Sequence, residues 1–389
     1  IADMGKMAFR LGGFAIGGLA FIAIFSWRAS YEWSNLQYKS SGEYSGWATL
    51  ASDPEPGNVT RVLFKIDGTR FVAYAHGINA RRIGEALAGE RLYVRGRLDA
   101  DAPRYLRWRH VVGRIDLDEV SERIDPGGAL VRATNRIRRT IVSGARTMST
   151  DNSALFAGLV IGDDRNQSPA LVNDFRAAGM SHLTAVSGQN VALVLAAFAP
   201  LLIRLRPRMR FLVSVALIAW FVLMTRAEPS VLRAAGMSVI SAYGFLRGKK
   251  WSTVWVLTTC VIAMLIIDPL LAWSVGWWLS VSASFGIAVA AKPIASLLPL
   301  PRGLSDVVGA TAAAQLATTP ISVLVFGRIA PLGLLANVLA VPVAGVIMFV
   351  GIPLGLLAGI LPDELASLVM APLELAVWWV KIVAGFFAM

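Results

Sequence analysis

Charge is what this 389-residue chain has too little of. Charged residues make up 16% of it, against about 25% in an ordinary soluble domain. Hydrophobic residues reach 56% and mean hydropathy is +0.59, so the chain cannot clothe itself in water. Cysteine is nearly absent: Cys260 alone excludes an intrachain disulfide and leaves the compartment unread. Histidine is equally sparse. His76, His110 and His182 lie far apart and exclude a His-rich metal cluster, so no metal and no cofactor are expected. No Gly-x-x-x-x-Gly-Lys-Ser/Thr run occurs, and any movement of a substrate is not powered by an ATP site within these residues.

The charge that is present is unevenly placed. Residues 1–150 hold 22 Lys/Arg and 15 Asp/Glu, whereas the longer stretch 211–389 holds 9 and 6. Residues 42–125 are balanced at 13 of each sign, and residues 126–150 carry five arginines and no acid. A net charge of +12 therefore speaks first of membrane topology and surface attachment, and second of a polyanionic partner.

Hydropathy divides the chain. Residues 9–27 are apolar apart from Arg10, with Lys6 before them and Arg28, Tyr31 and Trp33 after. That length fits a bilayer core of about 30 Å, and the flanks suit an anchor better than a cleaved signal. Residues 42–125 change to a period of two. Five strands are expected, over 46–50, 59–66, 70–75, 91–98 and 105–117, and five strands in so short a stretch suit a small barrel. Residues 129–148 predict a basic amphipathic helix that lies on a membrane surface, its arginines among lipid phosphates, or else contacts DNA. Apolar segments then recur at 187–203, 211–225, 230–246, 251–267, 273–291, 306–326, 331–361 (one span or two, given Pro342 and Pro353) and 365–387. The basic loops at 204–210, 247–250 and 292–302 are separated by two segments each, which puts all three on the cytoplasmic side and the barrel outside. A start at Ile1 and an end on Phe386-Phe387-Ala388-Met389 fit a piece of a longer protein.

The polar residues with chemical potential are few. Asp163 lies in a Gly-Asp-Asp-Arg stretch, and Ser168-Pro169 opens a helix leading to His182, Ser187, Gly188, Gln189 and Asn190. Ser187 and His182 can be read as a nucleophile and base of an intramembrane hydrolase, as pore-lining groups, or as packing residues. Five residues apart on one helix, the two point about 140° apart, which disfavours the first reading. Arg233 lies inside an apolar span, where a charge costs at least about 2.5–3.5 kcal/mol and must face protein, water or a partner. It is braced by Glu228, snorkels to the interface, or faces a substrate. Gln315 and Asn337 sit near the helix breakers Pro320 and Pro342. Between Arg91 and Arg114, seven arginines interleave with Tyr93, Tyr105 and Trp108, a mix that serves single-strand binding or a headgroup-facing surface.

The run GDDRNQSPALVNDFRAAGMSHLTAVSGQNVALV resembles the signature of the ComEC competence (DNA internalisation) family. Three more stretches match in order: Pro229-Ser230 with Arg233-Ala234, Asp268-Pro269 with Gly276 to Ser280, and Thr318-Thr319-Pro320 with Asn337 to Pro342. The sequence departs at Asn190, where the family often has His, and lacks the cysteine pair of the family's OB-like domain. Many members continue into a metallo-β-lactamase-like domain, but no His-x-His-x-Asp-His run occurs here.

The resemblance implies an α-helical polytopic membrane protein with a small extracytoplasmic β-barrel (OB-like) domain. Its parts would be an anchor over 1–28, the barrel over 42–125, basic and juxtamembrane helices over 126–186 and the membrane domain over 187–389. The implied role, without an enzymatic activity, is a channel importing single-stranded DNA across the bacterial cytoplasmic membrane in natural transformation. The alternatives are the Ser/His hydrolase and a transporter of another polar or lipid substrate. The strand's expected path passes Asp163, His182, Ser187, Gln189, Asn190, Arg233, Gln315 and Asn337, and Arg95, Arg97, Arg107, Trp108 and Arg109 are expected to bind it. Expected partners are membrane lipids, a cytoplasmic motor and an extracytoplasmic DNA receptor.

Overall fold

Period-two hydropathy gives way to helical stripes at residue 126, and the architecture changes there too. The computed structural model describes residues 2–36, 41–57, 59–184, 188–327 and 332–388, with side chains from Gly18 onward apart from Leu19. Helix α1 (Ala2–Asn35) covers the residues expected to form an anchor. The barrel follows: β1 (Gly42–Leu50), β2 (Thr60–Ile66), β3 (Thr69–Ala75), α2 (Gly77–Glu85), β4 (Arg91–Asp99) and β5 (Val111–Asp125). Its strands close in the order β1-β2-β3-β5-β4, with β4 returning to β1 and only the β3–β5 pair parallel. This is an OB-like domain. β4 alternates strictly between outside and inside, so Leu92, Val94 and Leu98 join Ala48, Phe64, Phe71 and Ile115 in the barrel core.

One strand differs from expectation. Residues 105–117 are not continuous: Arg104–Arg109 form a 3₁₀ turn that buries Leu106, and His110 ends it in the left-handed region at φ 59°. Pro103 stands just before it as the N-cap, at φ −56° and ψ 127°. β5 then runs on to Asp125, because Val120 and Ile124 still face inward opposite Val94 and Leu92.

The helical part comprises α3 (Ala129–Gly144), α4 (Thr150–Ile161), α5 (Pro169–Ala177), α6 (Ser181–Thr184), α7 (Gly188–Leu202), α8 (Pro207–Met224), α9 (Pro229–Leu246), α10 (Thr253–Ile267), α11 (Val275–Leu297), α12 (Arg302–Phe326), α13 (Gly333–Ile360) and α14 (Asp363–Ala388). Short polar side chains start several of them. The Oγ atoms of Ser168, Ser252 and Ser274 accept from Leu171, Trp255 and Trp277 N–H, filling orphan donors of α5, α10 and α11. Five helices, α8, α11, α12, α13 and α14, are long and apolar enough to cross a membrane, and the protein is a multi-pass membrane protein. α7 and α10 are apolar but only 15 residues long, shorter than a full span needs. Residues 333–360 form one helix through Pro342 and Pro353, which settles the one-or-two question for that segment.

Residues 126–186 are not a lipid-facing fringe. α4 is buried along nine of its twelve residues and joins α3, α5, α13 and α14 in the largest apolar core. α3 presses on α13 through glycines: a Cβ on Gly144 would lie 2.2 Å from Gly355 O, and one on Gly359 would lie 2.2 Å from Thr140 O. The expectation of lipid-bound arginines is thereby corrected for Arg138, Arg139 and Arg146, whereas Arg132 and Arg136 stay exposed. Arg138 is 1% exposed, Arg139 pairs with Glu90, and Arg146 binds Asp363 and Leu361 O. Arginines at helical spacing look alike in sequence whether their partners are phosphates or carbonyls.

Candidate functional site

The barrel rests on the ends of α4, α8 and α10, and cations make that junction. Arg138 donates through Nη1 to Ile161 O at 2.8 Å and to Met224 O. These are the last carbonyls of α4 and α8, where a helix lacks partners and its dipole is negative. Its Nη2 reaches Asp53 Oδ2 of the β1–β2 connection at 2.9 Å and stands 3.6 Å from Asp163. Arg226 grips the same Asp53 with two donors, at 3.0 and 2.9 Å, and Ala88 N–H adds a third at 2.8 Å. Burial works to raise the Asp53 carboxyl, but Arg138 and Arg226 outweigh it and hold the pKa down at about 2.

The network extends further on both sides. Arg226 also donates to Asn135, which bonds Glu90, and Arg165 clamps Asp163 with two bonds of 2.7 Å. Arg226 and Ala227 both adopt left-handed backbone, at φ 59° and 54°. Such a conformation costs roughly 1–2 kcal/mol per non-glycine residue and persists only where the surroundings impose it. Here they present Arg226 to the barrel.

A second barrel contact forms at the 3₁₀ turn. Arg109 lies 4.9 Å from the Trp108 ring centroid and pairs with Glu55 at 3.2 Å and Glu228 at 3.7 Å. Arg107 lies over Trp33 of α1, and His110 Nε2 meets Asp268 at 3.1 Å. Arg28 of α1 donates to Ile266 O and Ile267 O at the end of α10.

The basic strip expected between Arg91 and Arg114 is therefore two surfaces. Arg95 and Arg97 stay exposed on β4, opposite Glu119 and Asp116 of β5, while Arg107, Trp108 and Arg109 sit at the junction. The 3₁₀ turn separates them.

Beneath the junction, one turn into α9, lies Arg233, 8% exposed. Glu228 has turned to Arg109, and among the described residues no carboxylate forms an ion pair with Arg233. Its guanidinium is held by Ser280 and Ser284 of α11. Gly188, at the start of α7, leaves it room: a Cβ there would lie 2.5 Å from Nη2. Gln189 lies close by, exposed and facing Gly345 of α13.

The other expected path residues are dispersed. Asn190 is 2% exposed and donates to Leu159 O at 3.2 Å, tying α7 to α4. Asp163 is 4% exposed within the junction network. His182 is exposed on α6, and Ser187 lies outside the described residues. Gln315 is half-buried on α12, where its backbone carbonyl accepts from Thr319 Oγ1. Asn337 is buried on α13, with an Oδ1 that has no partner among the described residues.

Sequence reasoning missed Asp53, Arg226, Ser280 and Ser284. The two serines did leave a signal, a hydroxyl pair spaced four apart on an apolar helix. Asp53, in a Pro/Gly-rich connection, left none.

A family model described as competence protein matches residues 159–389. The chain belongs to the competence protein family. This competence-family chain is 25% identical to ComE operon protein 3 of Bacillus subtilis (strain 168) over 248 residues, which are 62% of this chain and 31% of that protein. It is 26% identical to the uncharacterized protein YcaI of Escherichia coli (strain K12) over 208 residues, 49% of this chain and 27% of the relative. Against the competence protein ComA of Neisseria gonorrhoeae it is 31% identical over 153 residues, 36% of this chain and 21% of ComA. The matches thus span less than a third of each relative's length. No solved structure matches. The family match takes in Asp163, Arg226, Arg233, Ser280 and Ser284, and leaves Asp53 and the barrel outside it.

Proposed function

We propose that the chain forms the path by which single-stranded DNA enters a bacterium across its cytoplasmic membrane during natural transformation. The observation that carries this reading is Arg233, a cation held beneath the barrel by neutral partners. A buried charge without a carboxylate is costly, and in a membrane core it marks a site that meets something polar. DNA offers one negative charge per nucleotide, and a low-dielectric passage needs fixed cations or donors to admit it. Two relatives carry competence names, which supports DNA uptake over transport of another solute.

The barrel contributes the mouth. Arg109 reaches Glu228 at the turn that leads into α9, and together with Arg107 and Trp108 it combines cations with an aromatic face on which any base can stack. Arg226 and Asp163 belong to the Asp53 network that seats this mouth, and Asn190 ties α7 to α4, while Gln189, Gln315, Asn337, His182 and Ser187 belong to the same proposed path. Arg95 and Arg97 make a weaker, more distant contact, since acids face them across the ladder. Lipids surround the core, a cytoplasmic motor draws the strand and an outer DNA receptor delivers it.

The test is transformation frequency. Arg233→Ala should abolish it while protein level and detergent stability stay near normal, and Arg233→Lys should restore part, because the charge survives but the planar fork does not. Normal transformation in Arg233→Ala would sink the reading.

A further inference from the structure

Arginine in a protein interior is ordinarily matched by a carboxylate, as Arg138, Arg165 and Arg226 are here. Arg233 is matched by hydroxyls. Its Nε donates to Ser280 Oγ at 2.9 Å, and its Nη1 donates to Ser284 Oγ and lies 3.6 Å from Met237 Sδ. The two serines stand one turn apart on α11. Ser284 donates its own proton to Ser280 O at 3.0 Å, which turns the lone pairs of its oxygen toward the guanidinium. All three contacts fix the group in place, and none cancels its charge. The remaining nitrogen, Nη2, faces Gly188, where any larger residue would collide with it.

We propose that Ser280 and Ser284 are positioning residues that hold Arg233 with its charge intact, so that Nη2, which forms no hydrogen bond among the described residues, meets the oxyanions of phosphodiesters one at a time. The inference rests on the DNA-path reading above and deepens it by assigning the selectivity of the path to these three side chains. The chemistry favours a singly charged, repeating anion. One guanidinium without a counter-ion attracts a phosphodiester, yet a single weak station lets it go, and conduction needs binding of that kind. A carboxylate in place of the serines would have closed the site to anions. A phospholipid headgroup carries the same phosphodiester, so the experiment must separate strand from lipid.

The full chain is reconstituted in vesicles that enclose a complementary oligonucleotide as a trap. Entry is measured for a fluorescent phosphodiester oligonucleotide and for the same sequence with an uncharged methylphosphonate backbone. A fluorescent phospholipid reports headgroup movement between leaflets. Wild type should admit the charged strand in preference to the uncharged one. The pair Ser280→Ala with Ser284→Ala should lower charged-strand entry about tenfold, the scale of one charge-assisted hydrogen bond, and leave uncharged entry unchanged in a chain that still assembles. Ser280→Thr with Ser284→Thr, which keeps both hydroxyls, should retain the preference.

Equal charged-strand entry in wild type and the alanine pair overturns the inference and leaves the path reading standing. So does a parallel fall of both strands, or an alanine pair that no longer assembles, since the serines would then be scaffold. Failure of wild type to admit either strand overturns the path itself. Lipid movement that depends on the serines in such vesicles would assign the station to headgroups instead.

Discussion

At Arg233 the decisive fact is the identity of its neighbours. A brace to Glu228 would make the charge a structural element, and removing both partners together would then repair the damage. Glu228 is instead 3.7 Å from Arg109, on the barrel side of the turn. Adding Glu228→Gln to Arg233→Ala should therefore recover neither uptake nor anything else, and recovered transformation would refute the path role. Gly188→Ala should act like a mild Arg233 variant, because its new methyl displaces the guanidinium while leaving the charge in place. Transformation should fall while assembly persists. Wild-type uptake in Gly188→Ala would show that the guanidinium position is unimportant.

Asp53 supports a prediction in pH. Its carboxyl titrates at about 2 in the folded chain against an ordinary 3.8. A depressed carboxylate pKa gives stability that is full above the ordinary value and is lost as pH falls through the folded one. At about 1.36 kcal/mol per unit this amounts to at most about 2 kcal/mol. A fluorophore pair across the junction should hold its distance from pH 7.5 to 5 and separate only below about pH 4. Separation near pH 6 would mean that another group controls the junction. Asp53→Asn keeps the shape but strands Arg138 and Arg226, and breaking a buried pair in this way costs about 3 kcal/mol or more. Chemical denaturation of the detergent-solubilised protein measures it.

Among the elements, α3 is the one that most changes meaning between sequence and structure. Its stripe of Leu130, Ala133, Ile137 and Ile141 is equally suited to lipid and to protein, and only the glycines of α13 decide. Gly359→Val should push α3 off α13, since its Cβ has no room beside Thr140 O, at a cost of roughly 1–3 kcal/mol for overpacking. An unchanged unfolding midpoint would mean the helices slide freely. Elsewhere the elements were legible where one physical rule dominates. Strict alternation in β4 and the Ser168-Pro169 start of α5 speak for themselves. The 3₁₀ turn at 104–109 was not, because tyrosine, tryptophan and arginine at alternating positions satisfy a strand pattern until Pro103 and the burial of Leu106 are weighed together. Of the site, Arg233 was legible as a charge out of place. Its serine partners come from a helix 47 and 51 residues away, a pairing that no local pattern encodes.

Across the whole molecule, α8 and α9 supply a ruler. Each is 18 residues, about 27 Å at 1.5 Å per residue. The turn between them carries Arg226 and Glu228 to the barrel, so the basic stretches at 204–210 and 247–250 lie at the opposite ends, where Arg210 stacks on Phe245. With those basic ends cytoplasmic, single cysteines at Gly57 and Gly248 in a Cys260→Ser background should label from opposite faces of intact cells. Labelling of both from outside would reverse the orientation.

The span of the Asp53–Arg226 clamp also sets a clock. Its partners lie 173 residues apart in the chain. At a synthesis rate of about 5–20 residues per second, Asp53 waits roughly 10 to 35 s for Arg226 to be made. The barrel is complete in sequence long before its seat exists, so for that interval it is tethered but undocked. Closure of this clamp therefore waits for the emergence of the α8–α9 turn, late in the synthesis of the chain.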